Sequence, residues 1–245
     1  MRKTLLLVVV SLFAIALWAS DPWKDKSYKD WDEKDVRKIM NDSPWAKKIE
    51  IEADEKGHGR LEAPEGAPTA GGARGENEEE DEKEGSRGEK DEDKEKGDMT
   101  LVVRWVSSKT LREAWTRGQV LQGKIAQLDI EKHLPQEPDD YQLVVSGSDM
   151  SLFQKAEQSS LKATSYLAAK KSKQKIPPSQ VEMVRATDGK RIKAIIFHFP
   201  KKSQSGEPVI ANDEKELKFV TRAGAVEIKA GFEPQKMVDQ HGRDL

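Results

Sequence analysis

There is no cysteine among the 245 residues. That absence excludes a disulfide scaffold, thiol catalysis, cysteine-ligated zinc, iron–sulfur ligation and a lipid anchor on an N-terminal cysteine. Histidine is almost as scarce: His58, His133, His198 and His241 stand singly along the chain and give metal chemistry little to build on. The glycines gather in one segment and in turns, without the spacing of a Walker loop or a dinucleotide fingerprint. Beyond residue 19 no apolar run nears the roughly 18 residues of a membrane-crossing helix, so the mature chain is expected to have no transmembrane span. Ser146-Gly147-Ser148 lacks the full pattern of a nucleophile elbow and reads as a capping turn. Asp139 and Asp140 are adjacent, so in a loop they need not converge as an acid and base pair. The sequence therefore names no catalytic, cofactor-binding or metal-binding residue.

An excess of one charge occurs in one place. Residues 53–98 hold 17 acidic against eight basic side chains, and the remainder of the chain holds 34 basic against 27 acidic. The formal net charge of −2 is thus a cancellation. Setting aside Arg2 and Lys3, the parts able to fold carry about +5, too little for a nucleic-acid-binding face. Within 53–98 the only large apolar residue is Leu61, so the segment cannot bury enough surface to offset its ordering entropy and reads as a disordered, acidic, low-complexity linker.

At the N-terminus Arg2 and Lys3 precede an apolar run from Leu5 to Ala19, interrupted by Ser11. This charged-then-apolar order predicts a signal peptide over residues 1–20, since as a helix the run rises only about 22 Å against a hydrocarbon core of about 30 Å. Small residues suited to cleavage follow at Ala14, Ala16, Ala19 and Ser20; an uncleaved anchor is the alternative.

Residues 21–52 form an arm. Asp32 and Asp35 suit the cap and third position of a short helix with Val36, Ile39 and Met40 as its apolar stripe, ended near Asn41 because Pro44 disfavours helix at Ser43. Ile49 and Ile51 then alternate with charged residues as in a half-buried strand. The run Trp31, Asp35, Val36, Arg37, Ile39 and Asp42, continuing through Ser43, Pro44, Trp45 and Ala46, resembles the acidic, Trp-led helix near the GWxTD region of uncharacterised exported bacterial proteins. The resemblance covers residues 31–46 and implies a location in a bacterial envelope; it carries over no catalytic residue.

Residues 99–245 read as an α+β domain. Leu101–Val106 is a β-rich run, and Thr110 with Glu113 suggests a capping box opening a long helix whose apolar face is Leu111, Ala114, Trp115, Gly118, Leu121, Ile125 and Leu128. Strands follow at 141–146, 161–168, 181–185, 192–199, 214–222 and 226–232, with Asp188-Gly189 and Ala223-Gly224 as hairpin turns and a short helix after Asp149. The expected architecture is a largely antiparallel, twisted sheet carrying one long amphipathic helix and a short second one, interrupted by the acidic insertion. The strand at 47–52 can pair with 101–106 across the linker, because lengthening a loop from about 12 to about 46 residues adds only about 1.2 kcal/mol of closure entropy. A freely tethered arm is the alternative.

Two surface features bear on function. Lys170, Lys171, Lys173 and Lys175 lie in a solvated loop or face an anionic partner. Trp23, Tyr28, Trp31 and Trp45 are dense enough to recognise an envelope protein or glycan, or else they pack the arm onto the domain. The chain is expected to be a non-enzymatic interaction or structural protein, periplasmic or extracellular, with an envelope hydrolase of distributed active site as the alternative. Mass spectrometry of the protein from its native host should find the mature N-terminus between about Leu17 and Asp21. An intact Met1 on a membrane-bound species would refute cleavage.

Overall fold

Ile49 and Ile51 find their apolar partners across the acidic segment. In the computed structural model, which describes residues 21–53, 59–61 and 99–245, strand β1 (Ala46–Ala53) pairs antiparallel with β3 (Met99–Trp105). The register sets Ile49 opposite Leu101 and Ile51 opposite Met99, so the alternation of β1 turns both isoleucines inward with Leu101, Val103 and Trp105. Gly59–Leu61 forms β2, which pairs with the far end of β1; these three residues of the segment read as a linker are therefore strand. The predicted signal peptide and the rest of the acidic segment lie outside the described residues.

The remaining strands are β4 (Asp140–Gly147), β5 (Tyr166–Ala169), β6 (Lys175–Ile176), β7 (Gln180–Arg185), β8 (Ile192–Pro200), β9 (Leu217–Ala223), β10 (Val226–Phe232), β11 (Val238–Asp239) and β12 (Gly242–Arg243). They build a six-stranded sheet in the order β2-β1-β3-β4-β8-β7 and a four-stranded sheet in the order β10-β9-β5-β6, all antiparallel, with β11 and β12 as a small ribbon near the C-terminus. The inner faces meet through edge-to-face rings: Trp105 on Phe232 at 5.3 Å, Phe197 on Phe219 at 5.0 Å and Phe199 on Phe219 at 6.2 Å. The class is α+β, as the sequence suggests, but the core lies between two sheets instead of between one sheet and a helix. Both sheets carry an apolar inner face, and each covers the other.

Among the described residues four helices flank the sheets: α1 (Pro22–Asp25), α2 (Glu33–Asn41), α3 (Lys109–Leu121) and α4 (Gln158–Thr164), with 3-10 segments at Tyr28–Asp30, Gln127–His133 and Ser151–Phe153. None of the described helices is long and apolar enough to cross a membrane. The capping box of α2 forms as expected: Asp32 accepts from the Asp35 amide at 2.8 Å and Asp35 from the Asp32 amide at 3.2 Å.

Three local expectations are corrected. Helix α3 opens at Ser108, not Thr110, with Ser108 Oγ accepting from the Leu111 amide at 3.2 Å. It closes at Leu121 because Gly123 takes a left-handed φ of 69°, with its amide and that of Lys124 bonded back to Val120 and Gln119. Leu128 therefore falls in the 3-10 turn and is fully exposed, and Trp115 is 48% exposed. Residues 161–164, expected to begin a strand, belong instead to α4 (Gln158–Thr164), whose only buried residue is Leu161; Ser165 Oγ bonds Leu161 O and Thr221 Oγ1 and fixes the change from helix to β5. Both hairpins form where expected. At the first, the Lys190 and Arg191 amides and the Arg191 guanidinium lower the Asp188 carboxyl to about 2.

At Gly147 a side chain is excluded by packing: a Cβ there would sit 2.5 Å from Thr100 O and 2.8 Å from Leu101 Cδ2, so the Gly-Ser step lets β4 lie against β3. Two lysines of the basic loop are paired with carboxylates within the fold. Lys170 pairs with Glu216 at 2.5 Å, Lys171 pairs with Asp213, and Lys175 lies 4.5 Å over the Tyr166 ring.

The arm is thus an integral part of the domain. Trp23, Trp31, Ile39, Trp45, Ile49 and Ile51 are all buried, and at roughly 1.5–3 kcal/mol each their burial matches the whole net stability of an ordinary domain. A chain lacking residues 21–53 is expected to aggregate, with β3 left as an apolar edge. A soluble remainder with an unchanged melting temperature, measured by calorimetry and light scattering, would show that the arm does not support the core.

Candidate functional site in the arm cleft

The aromatic residues of the arm divide between two roles. Trp45 is a core residue: its ring is fully buried, its Nε1 donates to Asp244 O at 2.6 Å, and it meets Trp23 edge to face at 5.6 Å. Trp31 is equally enclosed, with Nε1 donating to Pro22 O at 3.1 Å. These bonds hold Trp31 and Trp45 inward, and Trp23 is buried against Trp45, so these three rings pack the arm onto the domain, the second of the two expectations for them. Only Tyr28 stays half-buried, set edge to face on Trp31 at 6.4 Å.

Trp23, Tyr28 and Trp31 nevertheless wall a cleft of about 280 Å³ between the arm, the start of α3 and the C-terminal ribbon. Its polar lining comes from Lys26, Lys29, Lys109, Thr110, Glu113, Glu131, Asp239, Gln240 and His241. The C-terminal tail positions this wall. The Asp244 carboxylate accepts from the Lys109 and Thr110 amides at 2.6 and 2.8 Å, so with Ser108 Oγ it satisfies the first three free amides of α3. Gln240 Nε2 donates to Lys26 O at 3.1 Å and ties the tail to the arm.

Each lysine of the cleft has a carboxylate partner, and Asp239 accepts from the His241 amide at 2.7 Å. Lys29 pairs with Glu131 at 2.5 Å, Lys109 with Glu113 at 3.7 Å, and Lys26 with Asp35 at 2.7 Å. Glu113 is the unusual group. Burial raises its carboxyl to about 7, with Lys109 acting against this and the charges of Asp239 and Asp244 adding to it. Burial likewise raises the Tyr28 hydroxyl. Trp23 Nε1 and Thr110 Oγ1, both buried, have no hydrogen-bond partner among the described residues. The arrangement offers the half-buried Tyr28 ring beside paired donors and acceptors, with one carboxyl able to hold or release a proton near neutrality.

Sequence reasoning placed Trp23, Tyr28 and Trp31 together but missed Glu113, Thr110 and Asp239. Glu113 read as a capping residue, and the signal that it does another job is the serine at position 108, a better cap. Of the histidines, His241 lines the cleft. His198 lies on the outer face of β8, its Nδ1 2.7 Å from Asp140 Oδ2 and its Nε2 3.3 Å from Glu182 Oε1, and the latter contact lacks hydrogen-bond alignment. No three histidine, aspartate or glutamate side chains among the described residues converge to hold a metal ion. No family model, curated protein or solved structure matches this chain.

The Glu113 carboxyl titrates above the ordinary glutamate value, so the folded state holds an extra proton between about pH 4.5 and 7. Its contribution therefore falls as pH rises through that window and is flat above it. Glu113→Gln is expected to match the parent near pH 4.5 and to exceed it at pH 8 by at most about 3 kcal/mol, read from urea unfolding at both pH values. An equal difference at the two pH values would contradict the shifted carboxyl.

Proposed function

We propose that this is an exported protein of a bacterial envelope that binds a glycan in the arm cleft without chemically altering it. The observation that carries the reading is the composition of the cleft: the half-buried Tyr28 ring, backed by the buried Trp23 and Trp31, beside the ion pairs Lys29–Glu131 and Lys109–Glu113. A site whose lysines are already paired gains little from an anionic ligand, whereas a polyhydroxylated one meets donors, acceptors and an aromatic ring together. The small volume suits a short saccharide unit or a chain end. Export rests on Arg2, Lys3 and the apolar run to Ala19, together with the GWxTD-like stretch at 31–46.

A second reading, an envelope glycoside hydrolase, is favoured by Glu113 alone, because a carboxyl near 7 is suited to act as a general acid at neutral pH. One titration series separates the two. The mature protein should bind soluble peptidoglycan disaccharide fragments or neutral oligosaccharides by calorimetry, with Tyr28→Ala weakening binding about tenfold, the scale of one aromatic contact. The ligand should be recovered intact after long incubation. Turnover abolished by Glu113→Gln would replace the binding reading with the hydrolase, and failure of all these saccharides to bind would remove both.

A further inference from the structure

Helix α3 leaves a tryptophan in the open. Trp115, 48% exposed, stands over a groove of about 500 Å³ bounded by the outer face of the larger sheet, the end of α2, one side of α3 and the loop at 135–138. Val106 and Val144 form its floor, and Met40, Leu111, Trp115 and Pro135 its walls. Among the described residues no acidic side chain lines it; its charged groups are Arg104 and Arg112.

Both arginines are held in place, and neither is neutralised. Arg104 donates to Met40 O at 2.6 Å, Ser146 Oγ at 2.7 Å and Asn41 Oδ1 at 2.7 Å, and Arg112 to Ser107 O at 3.3 Å and Pro135 O at 2.6 Å. Every one of these acceptors is uncharged, and no carboxylate pairs with either guanidinium among the described residues. Glu113 and Glu137, whose fields reach Arg112, are paired with Lys109 and Lys201. Burial lowers the Arg104 guanidinium from its usual value, with no carboxylate to oppose it. A guanidinium has five N–H groups, so Arg104 with three committed and Arg112 with two both keep donors for an anion. Their planar fork matches a carboxylate.

The main chain around the groove narrows the class of ligand. Met40 O, Ser107 O and Pro135 O are taken by the arginines, and the Val106 amide donates to Gln142 O at 2.8 Å. A peptide would find little backbone to pair with, whereas a hydrocarbon chain needs none. A neutral polyol would gain nothing from two uncompensated charges. Concave, mostly apolar sites of this size with a few convergent polar groups are the usual form of a small-ligand site.

We propose that the groove binds an aliphatic monocarboxylate, a free fatty acid of medium chain length. Its carboxylate sits on the N–H groups that Arg104 and Arg112 leave unused, and its chain lies along Trp115, Met40 and Val144. The groove shares no lining residue with the arm cleft, so the proposal does not rest on the saccharide reading.

Calorimetric titration of the mature chain with hexanoate, octanoate and decanoate, each below its micelle concentration, should show saturable one-to-one binding. Decanoate should bind about tenfold tighter than octanoate, the scale of two buried methylenes. Octanol, which has the chain without the charge, should bind at least tenfold more weakly than octanoate. Arg112→Gln and Trp115→Ala, both on the surface of α3, should each weaken octanoate at least tenfold with the melting temperature checked alongside. If Arg112→Gln lowers the melt by loosening the loop at 135–138, Trp115→Ala and the octanol comparison decide. No saturation by any of the acids, octanol binding as tightly as octanoate, or binding indifferent to Trp115→Ala would overturn the proposal. Binding to anionic phospholipid vesicles without uptake of the free acids would overturn it in favour of a membrane surface.

Discussion

Strand β1 reaches β3 only across the acid-rich stretch between them, and the pairing holds because both strands present apolar residues to the same side. Ile49 opposite Leu101 and Ile51 opposite Met99 fix the register, and a one-residue slip would turn both isoleucines to solvent and the charged neighbours inward. Loop length opposes this weakly, since closure entropy grows only with the logarithm of the number of residues. Once β1 is in the sheet, Trp45 is delivered to the core and α2 comes to lie against α3, which places the arm's remaining aromatics. The larger sheet thereby gains its neighbour to β3, and the cleft gains a wall.

A second long-range contact completes the cleft. Asp244 holds three groups from distant parts of the chain: the Trp45 indole through its carbonyl, and the Lys109 and Thr110 amides through its carboxylate. An anion at a helix N-terminus is favoured by the helix dipole and by the unsatisfied amides there, so the tail and α3 stabilise one another. The same closure buries Glu113 beside Asp239 and Asp244, which is why a surface-helix glutamate behaves as a near-neutral acid. The position of Glu113 and its titration have one cause.

Much of this was legible in the sequence where the signal is local. The Asp32–Asp35 box, the Asp188-Gly189 and Ala223-Gly224 turns, and the alternation of β9 and β10 depend on residues within a few positions of each other, and all form as their chemistry dictates. The β1–β3 pairing was legible too, because a strand with one apolar face must bury it. Periodicity could not say how the strands divide into two sheets, since an inward apolar row reads alike whether a helix or another sheet covers it. It misled at α3, where Trp115 and Leu128 share the period of the buried residues yet are exposed. The cleft was half visible: its aromatics lie close in sequence, whereas Glu113, Asp239 and Asp244 meet only through the folded tail, which leaves no local trace.

The central claim is that β1 is as much a part of the core as β3, although the acid-rich stretch separates them in the chain. Native-state hydrogen exchange tests it most directly, because amides in one cooperative unit open together. The β1 amides bonded to β3 should exchange with the same opening free energy as those joining β3 to β4, near the global unfolding value. Rapid exchange along β1 beside full protection of the β3–β4 ladder would contradict it.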